Sequence, residues 1–183
     1  MNTIHAVLAI PIPTLNALTR ACAPLLMLAL LFAPQSSFAQ EKKPRDVSQF
    51  NLGKDGLALQ GYDPVAYFAE GGAKPTKGLD TITTTHDGVL YRFASEAHKK
   101  LFLASPDKYE PAYGGWCAYA MAKKEKVEVD PESFLTTNGR LMVFYKGWFN
   151  DTRAKWLKDE AGFTTKADAG WKEVNVPPKP KPK

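Results

Sequence analysis

A threonine-rich segment containing Ile82 and a mostly apolar segment flank Asp87-Gly88, a dipeptide typical of two-residue hairpin turns. This pattern predicts one strand over residues 81–86 and a second over residues 89–94. Pairing outward from the turn gives a register in which one face of this first hairpin collects apolar side chains, with His86 at the turn end. The predicted pairs are His86 with Val89, Thr84 with Tyr91 and Ile82 with Phe93.

A second hairpin is predicted at Asn138-Gly139, with strands over residues 134–137 and 140–145. Both of its faces are apolar, which favours a strand that is buried on both sides. One face consists of Phe134, Leu141 and Val143, and the other consists of Leu135, Met142 and Phe144.

Helix signals surround the two hairpins. Asp63-Pro64 supplies the N-cap and the first position of a short helix that ends at Phe68. Ser95 is placed to cap a longer helix that ends near Ala104. The predicted inner stripe of that longer helix is Ala97, His98, Leu101 and Phe102, and the other predicted helical segments are a turn from Pro106 to Tyr109, a helix over residues 147–158 and a last helix over residues 164–172.

Together these elements predict an α+β fold, with a small antiparallel sheet built from the two hairpins and short helices packed on it. No internal repeat and no heptad run divides the chain, which favours a single domain. The predicted organisation is a signal peptide at residues 1–39, a flexible linker at 40–49, the globular domain at 50–175 and a disordered Pro/Lys tail at 176–183.

Residues 1–39 have the pattern of a secretory signal peptide, because Arg20 precedes an apolar run over residues 21–33 and small residues stand at Ser37 and Ala39. The run is shorter than the roughly 20 residues that a bilayer span needs. We therefore expect an exported protein, periplasmic or secreted, with no membrane span after signal removal. An uncleaved N-terminal anchor is the alternative.

The formal net charge of +5 is concentrated at the two ends of the chain. Residues 45–176 hold 18 basic and 18 acidic side chains, so that the predicted domain is neutral. Neutrality and export together disfavour a nucleic-acid partner. A metal ion, a small ligand or a partner protein is expected instead.

Cys117 is the cysteine that remains after signal removal, because Cys22 lies within the predicted signal. It follows Gly114-Gly115, and a helix beginning near Gly115 would place the thiol in the first turn, where its pKa is lowered. Met121 lies one turn further on the same face, and an imidazole from His98 would complete a set of ligands suited to copper or another soft metal. A small buried cysteine, a core methionine and a hydrogen-bonded core histidine are the alternatives.

Several motifs stand in a characteristic order between residues 50 and 145. They are residues 59–68 (LQGYDPVAYF), residues 91–95 (YRFAS) with His98 and Phe102, residues 106–109 (PDKY) and residues 113–119 (YGGWCAY). In this order they resemble the YHS domain family, and more narrowly its exported single-domain bacterial members. The resemblance implies a small α+β domain with a role linked to metal or ligand binding. It points to Tyr91, Ser95, His98 and Cys117 as site positions, with Tyr62 and Asp63 as secondary positions.

The leading functional prediction is an exported, non-enzymatic YHS-type module that presents its single cysteine in an aromatic-lined pocket. Its ligand would be a soft metal such as copper or a small molecule. Two alternatives are a thiol-dependent redox protein or enzyme that uses Cys117 with His98 as base, and a protein-interaction module with a purely structural cysteine. The predicted ligand-binding residues are Tyr62, Asp63, Tyr91, Ser95 and Trp116, and the predicted metal ligands are Cys117, His98 and Met121.

Overall fold

The computed structural model describes residues 45–176. The predicted signal peptide, the first half of the predicted linker and all but one residue of the predicted tail lie outside this range. The described residues fold as helices and antiparallel hairpins, which confirms the predicted α+β class. Within residues 45–176, no helix combines the length and the apolar composition needed to cross a bilayer.

The first hairpin pairs β1 (Leu79–His86) with β2 (Val89–Phe93). Its turn residues Asp87 and Gly88 both have positive φ, as a two-residue turn of this kind requires. The pairs nearest the turn, His86 with Val89 and Thr84 with Tyr91, are confirmed.

The third predicted pair of this hairpin is wrong. Phe93 lies opposite Leu79 instead of Ile82, because β1 bulges after Leu79 and several of its residues have no partner on β2. Asp80 lies in the bulge, where its carboxylate forms an ion pair with the Arg92 guanidinium at 2.6 Å. The turn therefore sets the register only for the pairs close to it, and the bulge shifts the register at the far end of β1.

The second hairpin pairs β3 (Asp130–Thr137) with β4 (Arg140–Phe144), and its predicted turn is confirmed. Four consecutive residues of β4 are buried, so the prediction of a strand buried on both faces is also confirmed. Leu141 and Val143 pack into one hydrophobic cluster, whereas Met142 and Phe144 pack into another. Strand β4 thus runs between the two halves of the core.

The predicted single sheet is corrected to three two-stranded sheets within residues 45–176. The third sheet pairs β5 (Lys146–Gly147) with β6 (Asn150–Asp151). The two larger hairpins do not pair with each other, and a neighbouring segment contacts one strand of each. Leu57 forms a single bridge to β2, and Pro111 forms one to β4.

Helices lie between and after these sheets along the chain. The α-helices are α1 (Glu96–Ala104), α2 (Pro106–Tyr109), α3 (Ala118–Met121), α4 (Thr152–Trp156) and α5 (Glu160–Val174). Single 3-10 turns form at Lys54–Gly56, Leu59–Gly61, Ala69–Gly71 and Ala112–Gly115.

The predicted helix from Asp63 to Phe68 is wrong, because these residues form successive turns. Asp63 does accept a hydrogen bond from the Val65 N–H group, as an N-cap would. The chain then folds back so closely that a Cβ atom on Gly71 would lie 2.1 Å from the Val65 carbonyl oxygen. A continuing helix could not make that return.

The predicted helix over residues 147–158 is wrong in its first part, where the β5–β6 hairpin forms. Helix α4 begins only at Thr152, because the Asp151 carboxylate caps it by accepting from the Ala154 N–H group at 3.1 Å. The last helix is longer than predicted and starts behind the Asp159 cap.

Helix α1 and its Ser95 cap are confirmed. Its inner stripe is narrower than predicted: Phe102 is fully buried and His98 is partly buried, but Ala97 and Leu101 are exposed. The helix therefore contacts the core along one edge, and His98 lies at the margin of that contact.

Candidate functional site

Asp63, Ser95 and His98 come together where β2 passes into α1. Asp63 is fully buried, and its carboxylate accepts hydrogen bonds from the backbone N–H groups of Val65 and Ala94, each at 2.8 Å. The His98 Nδ1 atom lies 2.6 Å from Asp63 Oδ2. Because backbone donors already surround this carboxylate, we assign the Nδ1 proton to that hydrogen bond. The Ser95 hydroxyl accepts from the His98 N–H group at 3.1 Å.

This carboxylate–imidazole pair holds the His98 ring in one orientation and leaves Nε2 as its remaining nitrogen. Such pairs orient histidines for proton transfer or metal binding. Within residues 45–176, however, no group of three His, Cys, Asp or Glu side chains could hold a metal ion. The pair offers one nitrogen donor on a side chain that is 19% exposed.

Tyr91 belongs to a different hydrogen-bond network from Asp63 and His98. Its hydroxyl donates to Glu110 Oε1 at 2.8 Å, and Arg45 donates to both Glu110 oxygens at 2.7 Å. Burial opposes ionisation of Glu110, but hydrogen bonds from Arg45 and Tyr91 outweigh it and hold the pKa of Glu110 below its ordinary value. Burial also raises the pKa of Tyr91. This network attaches Arg45, a residue of the predicted linker, to the domain.

Tyr62 and Trp116 each form hydrogen bonds with other partners, separate from those of Asp63 and Tyr91. The Tyr62 hydroxyl donates to Glu132 at 3.0 Å, and the Lys77 ammonium lies 4.2 Å from the centre of the Tyr62 ring. The Trp116 indole N–H donates to the carbonyl oxygen of Gln49 at 2.7 Å. The five predicted ligand-binding residues are thus distributed over several networks.

Cys117 is the N-cap of α3 and not a residue of its first turn, because residues 112–115 form a separate 3-10 turn. Its Sγ atom lies 3.4 Å from Thr152 Oγ1, and the residue is fully buried. The Thr152 hydroxyl donates its own proton to the Tyr145 carbonyl at 2.7 Å. The thiol is therefore the donor toward Thr152.

Within residues 45–176, the contacts of the three predicted copper ligands do not join them to one another. Cys117 packs in the first core cluster, whereas Met121 is fully buried in the second. The imidazole of His98 is held by Asp63. A soft metal ion would need the two sulfur atoms and the imidazole to converge, so this set of ligands stays a prediction.

A cavity of about 310 Å³ lies beside Cys117, between α3 and the β6–α4 segment. Lys123 and Lys155 place their ammonium groups 4.9 and 5.9 Å from the centre of the Tyr119 ring. Cys117 contributes to the wall but has no exposed surface, so its thiol does not contact solvent there. We call this space the lysine cavity, and its lining includes Cys117, Tyr119, Lys123, Tyr145, Asn150 and Lys155.

Two backbone hydrogen bonds position the segments that line the lysine cavity. The Cys117 N–H group donates to the Val127 carbonyl at 3.1 Å, which folds the chain after α3 back along the helix. The Thr152 N–H group donates to the Tyr145 carbonyl at 3.2 Å, which fixes the start of α4 at the wall of the cavity. Lys155 donates to Asn150 Oδ1 at 2.6 Å and has two further N–H groups to offer.

The charges of the lysine cavity favour an anion. Two ammonium groups, from Lys123 and Lys155, face a single carboxylate, from Glu125. Ammonium groups, with the Asn150 amide, can hold a carboxylate or phosphate by charge-assisted hydrogen bonds. The Tyr119 ring lines the same cavity and adds apolar surface that a flat group could contact. The volume is at the lower end of the range for small-molecule sites.

Sequence reasoning did not identify Lys123, Asn150 or Lys155. Each is an ordinary surface residue in sequence, and no fixed spacing connects α3 to the β6–α4 segment. The predicted helix over residues 147–158 also excluded the hairpin that carries Asn150 to the cavity. Among the residues that the sequence singled out, Cys117 is the one that lines this cavity.

Comparisons of this chain with protein-family models, with curated proteins and with solved structures found no match.

Proposed function

We propose that the protein is an exported binding module of the YHS type, without catalytic activity, whose lysine cavity binds a small anion that carries a flat apolar group. The observation that supports it most is the pair of lysines that converge on the Tyr119 ring beside Cys117. The sequence predicted either a soft metal or a small molecule as the ligand near Cys117. The cavity supports the small molecule.

A thiol enzyme has less support than a binding module. The polar neighbour of Cys117 is the Thr152 hydroxyl, which is not a general base at neutral pH. His98, the proposed base, is hydrogen-bonded to Asp63. Full burial also keeps the thiol from a substrate in solution.

Thermal unfolding of the purified protein tests anion binding. The probes are benzoate and phenyl phosphate, with benzamide and benzyl alcohol as neutral analogues of similar shape. Because a ligand that binds only the folded state stabilises it, the two anions should raise the melting temperature and the neutral analogues should not. Isothermal titration calorimetry then gives the dissociation constants.

Variants identify the lysine cavity as the binding site. Lys123→Ala and Lys155→Ala should each weaken anion binding about fivefold or more, because each removes one charge-assisted hydrogen bond. Lys166→Ala is the matched control, since Lys166 also lies over an aromatic ring, that of Phe163, but lies outside the cavity. Equal affinity in all three variants, or no binding by the wild type, would reject the proposal.

Export is proposed from residues 1–39 alone, and intact-mass measurement of the protein from its native host tests it. Cleavage after Ala39 should give a mature chain that begins at Gln40. A mature chain that still begins at Met1 would contradict a cleaved signal.

A further inference from the structure

Trp148 and Phe149 form the tip of the β5–β6 hairpin, and both side chains project fully into solvent. Their exposed fractions are 98% and 102%, whereas Trp156, a few residues later, is fully buried. The turn does not require aromatic residues, because two-residue turns favour Asn, Asp and Gly. Two adjacent aromatic side chains left in water mark a surface that binds something apolar.

Four cationic side chains flank this aromatic tip along the chain. Lys146 precedes it, and Arg153, Lys155 and Lys158 follow within nine residues of Phe149. All four are exposed, and in the part of the chain that the structure describes none of them forms an ion pair.

The charge of this segment departs from that of the domain around it. Residues 146–158 contain a single acidic residue, Asp151, and therefore carry a net charge of +3. Residues 45–176 as a whole are neutral. Within residues 45–176, a segment of net positive charge thus carries the two adjacent aromatic side chains that are fully exposed.

We propose that the β5–β6 tip docks on an anionic phospholipid bilayer, with Trp148 and Phe149 at the level of the headgroups and the flanking cations against the phosphates. Trp is enriched at this level of membranes because its ring is apolar and its N–H group is polar. Each cation near an anionic surface strengthens binding about fivefold.

The size of the tip favours a bilayer over a protein partner. Two aromatic side chains offer roughly 300–500 Å² of surface. A stable protein interface buries about 800 Å² on each partner. A bilayer needs no matching surface, since a narrow apolar tip enters between headgroups and the cations remain in the polar layer.

Vesicle co-sedimentation with the purified full-length protein tests the proposal. The vesicles are pure phosphatidylcholine and a mixture of phosphatidylcholine with phosphatidylglycerol. The double variant Trp148→Ala/Phe149→Ala should lower the partition coefficient on mixed vesicles at least about tenfold. Leu103→Ala is the matched control, because Leu103 is 52% exposed on α1, away from the tip, and its removal should change nothing.

A charge variant tests the cations without touching the lysine cavity. Arg153→Gln/Lys158→Gln should lower binding to mixed vesicles by roughly 25-fold, from about fivefold for each cation. Lys99→Gln/Lys100→Gln removes the same charge from α1 and should leave binding unchanged. Equal losses in the two double variants would show attraction by net charge alone and would overturn docking through the tip.

Fluorescence quenching reports on Trp148 itself and is insensitive to other membrane-binding segments. Brominated phosphatidylcholine in the vesicles should quench the wild type more than Trp148→Phe, which keeps an aromatic residue but lacks the indole. Equal quenching in the two proteins would overturn insertion. The proposal is also wrong if Trp148→Ala/Phe149→Ala abolishes self-association or binding to a protein while vesicle binding is unchanged.

Discussion

A single buried carboxylate connects three segments at the margin of the core. Asp63 accepts hydrogen bonds from the turn that follows it, from the end of β2 through Ala94, and from the His98 ring on α1. The sequence resemblance pointed to Asp63 and His98 as site positions. In the structure Asp63 holds the turn, the end of β2 and α1 together.

Asp63→Asn should lower the free energy of unfolding by about 1–3 kcal/mol, because the amide has one acceptor oxygen where the carboxylate has two. Whichever way the amide turns, its NH₂ group faces a backbone N–H group, of Val65 or of Ala94. Urea denaturation followed by circular dichroism measures the change. Asp80→Asn, at a largely exposed ion pair with Arg92, should stay within about 0.5 kcal/mol. Equal losses would contradict the role of Asp63.

The pH dependence of stability should report on Glu110. Its pKa is lower in the folded state than its ordinary value of 4.5. A group of this kind stabilises the fold above the unfolded pKa, and the contribution is lost as the pH falls through the lowered folded pKa. Glu110→Gln should therefore cost about 1.5–3 kcal/mol at neutral pH, and the difference from wild type should shrink below about pH 4.5.

Thermal melts of Glu110→Gln and wild type across the acidic range measure this effect. Glu96→Gln serves as the control, because Glu96 is exposed in the first turn of α1. A difference between Glu110→Gln and wild type that stays constant down to the strongly acidic end would exclude an ionised, paired Glu110.

At the scale of elements, turn chemistry was the most reliable sequence signal. The turns of the β1–β2 and β3–β4 hairpins place Asp or Asn and then Gly at positive φ, and these residues set the pairing close to each turn. The predicted pairing was wrong at the far end of β1, where a bulge between Leu79 and Thr83 shifts the register away from the one that the turn sets. Trp148 and Phe149 misled the helix prediction, because aromatic residues give no turn signal although they form the β5–β6 tip.

The contact of α3 with α5 gives a prediction at the same scale. A Cβ atom on Gly170 would lie 2.3 Å from the Met121 backbone carbonyl, so the two helices would have to separate. Gly170→Ala should lower the free energy of unfolding by about 1–2 kcal/mol, although alanine favours a helix. Thr165→Ala, exposed on the same helix, should stay within about 0.5 kcal/mol in the same denaturation experiment. A stabilised Gly170→Ala would show that the helices are not in close contact.

At the scale of the whole molecule, the candidate site could be predicted only in part. Motif resemblance identified Asp63, Ser95 and His98, which do lie together, and it drew attention to Cys117. The lysine cavity could not be predicted, because Lys123 and Lys155 meet through the packing of α3 against α4 and no local pattern encodes that meeting. A neutral domain also concealed a local concentration of positive charge around the β6–α4 segment.

The most direct test of anion binding in the lysine cavity is a titration of the ¹⁵N-labelled protein with phenyl phosphate, followed by backbone amide chemical shifts. The proposal predicts saturable shift changes at Tyr119, Lys123 and Asn150, and unchanged shifts at Asp63 and His98. Lys155→Ala should weaken the titration, and Lys166→Ala should not. Shift changes confined to other residues, or none at saturating phenyl phosphate, would contradict the central claim.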